Sequence, residues 1–399
     1  MPPTSPLNIL FVGTLPPRLG GSAIANSQLL IGCAALGHTV RALAPITAEA
    51  LQSGDAFAAD HPSLGVTRYR VPSFENSPDR PASDHHRQVE GTQIQEMLPA
   101  LITHQRPDIL IIGREAFASY VPQLARTYSL PCLLMVHGAT TIGILTGTYP
   151  EALARQLLEQ YRQVALIVTP AHHMADNLRR LGLMNLKVIA NAVDLQRFAP
   201  RPKNEALRRQ LAIRDDDITV LHVSNLKSLK RPLDLVKAAE RTLPQNSTLV
   251  YVIVGDGPCR AAMEDACRSS QIAEKFRFVG EVSHERIPDY LNLADMVVMP
   301  SAAETQALVY LETQACARLL LASDIPGARE VIVNGETGLL FRTGDIDDLT
   351  AKTLLAASDP KRRADIGRTA WERVQVHSLS HAVATYAATL AEVVRQQQK

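Results

Sequence analysis

Short apolar runs alternate along the chain with longer segments whose apolar residues recur at helical spacing. Asn8 to Val12, Thr39 to Leu43, Gly65 to Val71, Asp108 to Ile112, Cys132 to Val136, Ala165 to Thr169 and Lys187 to Ala190 read as strands. Between them the spacing predicts helices over Ala23 to Leu36, Val89 to Thr103, Phe117 to Thr127, Pro150 to Arg162 and His172 to Leu181. The alternation resumes with strands at Thr219 to Ser224, Leu249 to Val254, Phe276 to Val279 and Met296 to Met299. Helices are expected from Leu233, over Arg260 to Ser270, Glu285 to Leu293 and Asp345 to Ser358, and finally over Ser378 to Gln398. Repeated strand and helix alternation implies parallel sheets covered on both faces, an α/β protein. A chain of 399 residues suits two such domains of about 200 residues better than one core.

Two stretches break the pattern. Phe74 to His86 is polar and proline-rich and reads as a mobile surface loop, with His85 and His86 as solvated loop histidines. Lys203 to Asp217 reads as a charged, exposed connector. Composition changes the picture little: 46% hydrophobic and 20% charged residues are those of an ordinary soluble protein. A net charge of +1 argues against nucleic acid as a partner. The apolar runs Leu130 to Val136 and Leu249 to Val254 are far short of the ~18 residues of a membrane span. The opening M-P-P-T-S-P-L has no basic n-region, so neither signal peptide nor anchor is expected and the cytoplasm is the expected location. Five dispersed cysteines without C-x-x-C spacing read as buried thiols in a reducing compartment.

Candidate chemistry sits where apolar runs stop. Pro300 and Ser301 end the strand Met296 to Met299, and a helix is expected from about Gln306. Glu304 and Glu312 stand eight residues apart there. On a helix that is ~12 Å, which suits one carboxylate for each end of a ligand such as a nucleotide-diphospho-sugar; a dipole-favoured N-terminal Glu and an unrelated surface Glu give the same spacing. After Asn8 to Val12 comes a loop with Gly20 and Gly21 and then a helix, the arrangement that favours a phosphate, although the G-x-G-x-x-G spacing is absent. His137 follows a strand directly, and Ala139, Thr140 and Thr141 read as a small polar loop suited to hydroxyl recognition. His172 and His173 read as a helix start, and the D-x-D patterns at Asp215 to Asp217 and Asp345 to Asp347 as turns or caps, so no metal is assigned.

The stretch Met299 to Gly327, with Glu330 and G-E-T-G-L-L-F (Gly335 to Phe341), resembles the E-x7-E signature of the family-four retaining glycosyltransferases of the GT-B fold. N-A-V-D-L-Q-R-F-A-P (Asn191 to Pro200) is similar to that family's hinge, with Ala192 where glycine is usual, and G-D-G-P (Gly255 to Pro258) is similar to its G-x-G-P turn. The resemblance implies two Rossmann-like parallel-sheet domains facing a deep cleft. They would span 1–195 and 196–377, with a terminal helix, about 378–399, crossing back to the first. It implies transfer of a sugar from a nucleotide-diphospho-sugar to an acceptor hydroxyl, with retention, by front-face attack and without metal or other cofactor.

By the same resemblance Gly20 and Gly21 face the diphosphate, His137 and Glu304 hold the donor sugar, and Lys230 neutralises the diphosphate. Glu312 takes the ribose and the main chain of Val282 the nucleobase, while Gln306, Ala307 and Leu308 lie along the donor. Two departures stand out. Asn225 occupies the place of the family's arginine, with Lys227 as a substitute charge, and Glu304-Thr305-Gln306-Ala307 replaces E-G-F-G. The S-N pair at Ser224 and Asn225 also has a distant local likeness to the malate N-acetylglucosaminyltransferases of bacillithiol synthesis, which slightly favours UDP-N-acetylglucosamine. A noncatalytic glycosyltransferase-like subunit and a hydrolysing UDP-sugar 2-epimerase are the alternatives. The acceptor stays open among lipid-linked, polysaccharide and small-molecule hydroxyls, as does peripheral contact with the inner face of the cytoplasmic membrane.

Overall fold

A computed structural model describes residues 5–18, 20–72 and 82–398. The chain divides into two compact units, Met1–Asn191 with Leu379–Lys399, and Ala192–Ser378.

Unit 1 holds seven strands, β1 (Asn8–Val12), β2 (Thr39–Thr47), β3 (Leu64–Val71), β4 (Ile109–Ile112), β5 (Cys132–Met135), β6 (Leu166–Thr169) and β7 (Leu186–Val188). They form one parallel sheet in the order β3-β2-β1-β4-β5-β6-β7. Unit 2 holds β8 (Ile218–Val223), β9 (Leu249–Val254), β10 (Phe276–Gly280), β11 (Met296–Met299), β12 (Leu319–Ser323) and β13 (Leu339–Phe341), in the order β10-β9-β8-β11-β12-β13, again all parallel. Both are doubly wound Rossmann-like sheets, and in each the strand order reverses once, between β1 and β4 and between β8 and β11. Ligands of such sheets bind beyond the strand ends at that reversal.

The uniformly apolar strands are explained by burial on two faces. In β1, Leu10 and Val12 enter one core while Ile9 and Phe11 enter the other. In β11, Val297 and Met299 separate in the same way from Met296 and Val298. The terminal helix, Leu379–Gln397, belongs to unit 1: Leu390, Val393 and Val394 share the core of Ile9 and Phe11. It approaches helix Gly21–Ala35 so closely that a Cβ on Gly32 would lie 2.4 Å from a Val383 methyl. In unit 2 the incoming and outgoing chain are tied together, Val193 N donating to His377 O at 2.9 Å.

Several local expectations are corrected. Residues 73–81 of the expected loop lie outside the described residues, but its end is helical: helix Asp84–His104 starts under a cap in which Ser83 Oγ accepts from His86 N at 3.2 Å. His86 is consequently only 1% exposed, one turn from Glu90, whose carboxylate pairs with Arg114; it is not a solvated histidine. Ala139 to Thr141 is not a loop but the first turn of helix Ala139–Leu145, with Thr140 and Thr141 fully buried. Lys203 to Asp217 contains helix Glu205–Gln210, pinned by buried Leu207 and Ile213 and by Lys203 on Asp295 at 3.0 Å. The helix expected from about Gln306 begins at Leu308 and ends at Ala315. Glu304 therefore lies in the preceding loop, and the helical rise does not measure its distance from Glu312. His172 does open a helix, His172–Arg180, and Asp345 caps another by accepting from Asp348 N at 2.9 Å.

Candidate active site

At the reversal of the unit 2 sheet, β8 and β11 each end in a short polar loop. Ser301, just past β11, donates to Glu304 Oε1 at 2.8 Å. Lys230 Nζ reaches the same oxygen at 2.5 Å, with the two side chains 21% and 10% exposed. Lys230 and Glu304 thus hold one another, and among the described residues Glu304 Oε2 is left for a further donor. Ala302 N donates to Leu229 O at 2.8 Å, so the two loops are also joined through the main chain.

Close to this pair lies His222, a fully buried histidine of strand β8. Its Nδ1 is 2.8 Å from Val298 O, which can only accept, so Nδ1 carries the proton. Nε2 then accepts from Ser224 Oγ at 2.8 Å, and Ser224 Oγ in turn accepts from Leu226 N at 3.2 Å. Burial, assisted by Lys230, lowers the His222 pKa to about 4, so the ring is neutral. The chain from Val298 through His222 and Ser224 fixes the loop that carries Lys227 and Lys230, including Leu226 at a left-handed φ of 38°. Asn225, at the arginine's position, is exposed on this loop. Its carbonyl packs so closely on Gly257 that a Cβ there would lie 2.0 Å away, which explains the glycine of G-D-G-P. Gly327 stands in the same relation to the Glu304 loop, where a Cβ would lie 2.2 Å from Glu304 O. Thr305 and Gln306 in that loop and Leu308 just after it are buried, and Ala307 is the N-cap of helix Leu308–Ala315.

Glu312, on that helix, is also buried, and His284 Nε2 donates to its Oε1 at 2.6 Å. The His284 ring leans on Phe198 at 5.2 Å between centroids. Val282, two residues before His284, is partly buried in the same core.

In unit 1, the reversal is bridged by a side chain that sequence reading missed. Asn26, fully buried on helix Gly21–Ala35, donates from Nδ2 to Thr14 O beyond β1 and to Gly113 O beyond β4, both at 2.9 Å. Its Oδ1 must then accept, and His137 Nε2 donates to it at 2.9 Å. Burial lowers the His137 pKa to about 4, leaving a neutral ring with Nδ1 as an acceptor. The turn after His137 is held by Glu115, whose carboxylate accepts from Gly138 N at 2.6 Å, Thr141 N at 2.7 Å and Thr141 Oγ1 at 2.6 Å. This explains why Thr140 and Thr141 are helical rather than presented to a ligand; burial raises the Glu115 pKa against those hydrogen bonds. Gly20 caps helix Gly21–Ala35, and its φ of 129° leaves open space where a Cβ would stand.

The structure therefore brings together Lys230 with Glu304 and supplies Ser301 and His222 close to them; it places Glu312 beside His284, and His137 beside Asn26. Of the missed residues, His222 alone carried a signal, a histidine inside a mostly apolar strand. Among the described residues no group of three or more His, Cys, Asp or Glu side chains is arranged to hold a metal ion, and no helix is long and apolar enough to cross a membrane.

Two family models match the chain: "Glycosyltransferase Family 4" over residues 19–197 and "Glycosyl transferases group 1" over residues 203–373. The chain is similar to the glycogen synthase of Mycobacterium tuberculosis, 30% identical over 273 residues, 66% of this chain and 64% of that protein. It is also similar to the D-inositol 3-phosphate glycosyltransferase of Kribbella flavida, 32% identical over 200 residues, 48% of this chain and 47% of that one. The match thus spans less than two thirds of these relatives' length. In fold it is similar to sucrose-phosphate synthase from Thermosynechococcus elongatus, with a TM-score of 0.83 at 19% identity, covering 98% of this chain and 100% of that one. Anabaena HepE in complex with UDP and glucose gives a TM-score of 0.80 at 17% identity, covering 96% and 100%.

Proposed function

Since the chain belongs to the family-four glycosyltransferases of the GT-B fold, we propose that it moves a sugar with retention from a nucleotide-diphospho-sugar, of which UDP-sugars are favoured, to an acceptor hydroxyl. The observation that carries this reading is the Lys230–Glu304–Ser301 cluster at the sheet reversal of unit 2. As the anomeric carbon becomes oxocarbenium-like, negative charge builds on the leaving diphosphate. Lys230, held by a pre-set loop, meets that charge without reorganisation, in the place a metal ion would otherwise take. Glu304 accepts from sugar hydroxyls through Oε2, and Glu312 takes the ribose diol. His137, neutral and fixed by Asn26, offers Nδ1 to a sugar hydroxyl. The acceptor attacks from the face that the diphosphate leaves, so no enzymic nucleophile is required. UDP is favoured because it is bound in the similar Anabaena HepE structure; the Ser224-Asn225 pair leans towards N-acetylglucosamine as the sugar.

Calorimetric titration with UDP, GDP and ADP tests the donor assignment. We expect UDP alone to bind with high affinity without added metal. Glu312→Ala removes a hydrogen bond to a charged group, worth ~1.5 to 3 kcal/mol, and should weaken UDP roughly tenfold to a hundredfold. Failure of all three nucleotides to bind would sink the assignment and favour a noncatalytic role.

A further inference from the structure

The ribose assignment leaves His284 unexplained. Glu312 is a carboxylate whose side chain is 8% exposed, and His284 is the one side chain among the described residues that hydrogen-bonds to it. That bond occupies Oε1, while among the described residues Oε2 has no hydrogen-bond partner and is not among the fully buried unpaired atoms. The histidine is not a loosely swinging group. Ser283 is extended and His284 opens a single 3-10 turn running to Arg286, which leads directly into the buried helix Ile287–Leu293. Phe198, 1% exposed, supports the ring from behind. The result is a buried carboxylate with one oxygen fastened by the fold and the other open.

We propose that His284 is a positioning residue for ribose: by donating from Nε2 to Glu312 Oε1 it fixes the carboxylate in the one orientation that receives the vicinal diol, so that the preference for ribonucleotides over 2′-deoxyribonucleotides depends on it. This rests on the reading of Glu312 as the ribose ligand. A carboxylate freed of His284 can rotate towards water and bind a diol only after being ordered again, and that ordering cost falls on the ligand. The loop from Val282 to His284 also joins the backbone expected to meet the base to the group that holds the sugar beside it. Base and ribose would thus be read by one rigid segment.

The test compares UDP with 2′-deoxyuridine diphosphate by calorimetry on the full chain. Wild type should prefer UDP by about tenfold or more, the lower bound set by one hydrogen bond to a charged group. His284→Ala should weaken UDP about tenfold and bring the two ligands within about twofold of each other, and His284→Gln, whose amide also donates, should restore most of the preference. If His284→Ala binds UDP as tightly as wild type or more tightly, or keeps the tenfold preference, His284 is a competitor or a bystander and the inference falls alone. If wild type does not bind UDP, the ribose reading of Glu312 falls as well.

Discussion

His222 shows how far one buried side chain governs this protein. Its neutral ring links two strands and the Lys230 loop, and burial lowers its pKa from 6.5 to about 4. The folded state therefore binds fewer protons than the unfolded one between those values. The stability that follows is present above pH 6.5 and is lost as the pH falls towards 4. Between pH 7 and pH 5 the loss should be on the order of 2 kcal/mol. Urea denaturation at pH 7, 6 and 5 would measure it; His222→Asn, which keeps the donor to Val298 O but cannot titrate, should lie lower at pH 7 and lose roughly that much of the slope. A slope unchanged by the substitution would place the titration elsewhere, with His137, lowered by burial in the same direction, as the next candidate.

At the scale of elements, the site is two loops laid on glycines. Strand positions were legible because they follow from apolar periodicity, and so was the placement of the two glutamates beyond β11, whereas helix starts held by side-chain contacts, at Ser83 and at Gly138 through Glu115, were not. What periodicity does not carry is which loop residues meet. Lys230 and Glu304 lie 74 positions apart, and His284 and Glu312 lie 28 apart, so their pairing is set by the order of strands in the sheet. Burial of His86 was hidden for a similar reason: Glu90 lies one turn on in the same helix, but Arg114, which pairs with Glu90, comes from a strand end 24 positions beyond it. Glu115 capping Gly138 explains the failure to recognise Thr140 and Thr141 as helical. The glycine contacts give a direct test. Gly327→Ala would force a Cβ to within 2.2 Å of Glu304 O and 2.6 Å of Thr305 O, main-chain atoms that cannot turn aside. Overpacking of this kind costs about 1 to 3 kcal/mol, so the melting temperature of unit 2 should fall by roughly 4 to 8 °C for 2 kcal/mol. Because the displaced atoms belong to the Glu304 loop, UDP affinity should fall as well, measured by titration well below the melting point.

For the whole molecule, the decisive feature is that the terminal helix packs on the first unit. Leu390 is fully buried against that core, so Leu390→Ala should cost about 2 to 5 kcal/mol. Hydrogen exchange should locate the loss: protection should fall in β1 and β2 and hold in β8 and β11, whereas equal loss in both sheets would mean that the units unfold as one. The same feature constrains the order in which the protein can be finished at the ribosome. Residues 192–378 are made between β7 and the helix that covers the core of Ile9 and Phe11 in unit 1. At ~5 to 20 residues per second the core of Ile9 and Phe11 waits roughly 10 to 40 s for its cover. The domain synthesised second has every strand it needs before the domain begun first can close. A chain ended at Ser378 and released from the ribosome should therefore hold a completed unit 2 and, in unit 1, an uncovered apolar face that chaperones can hold.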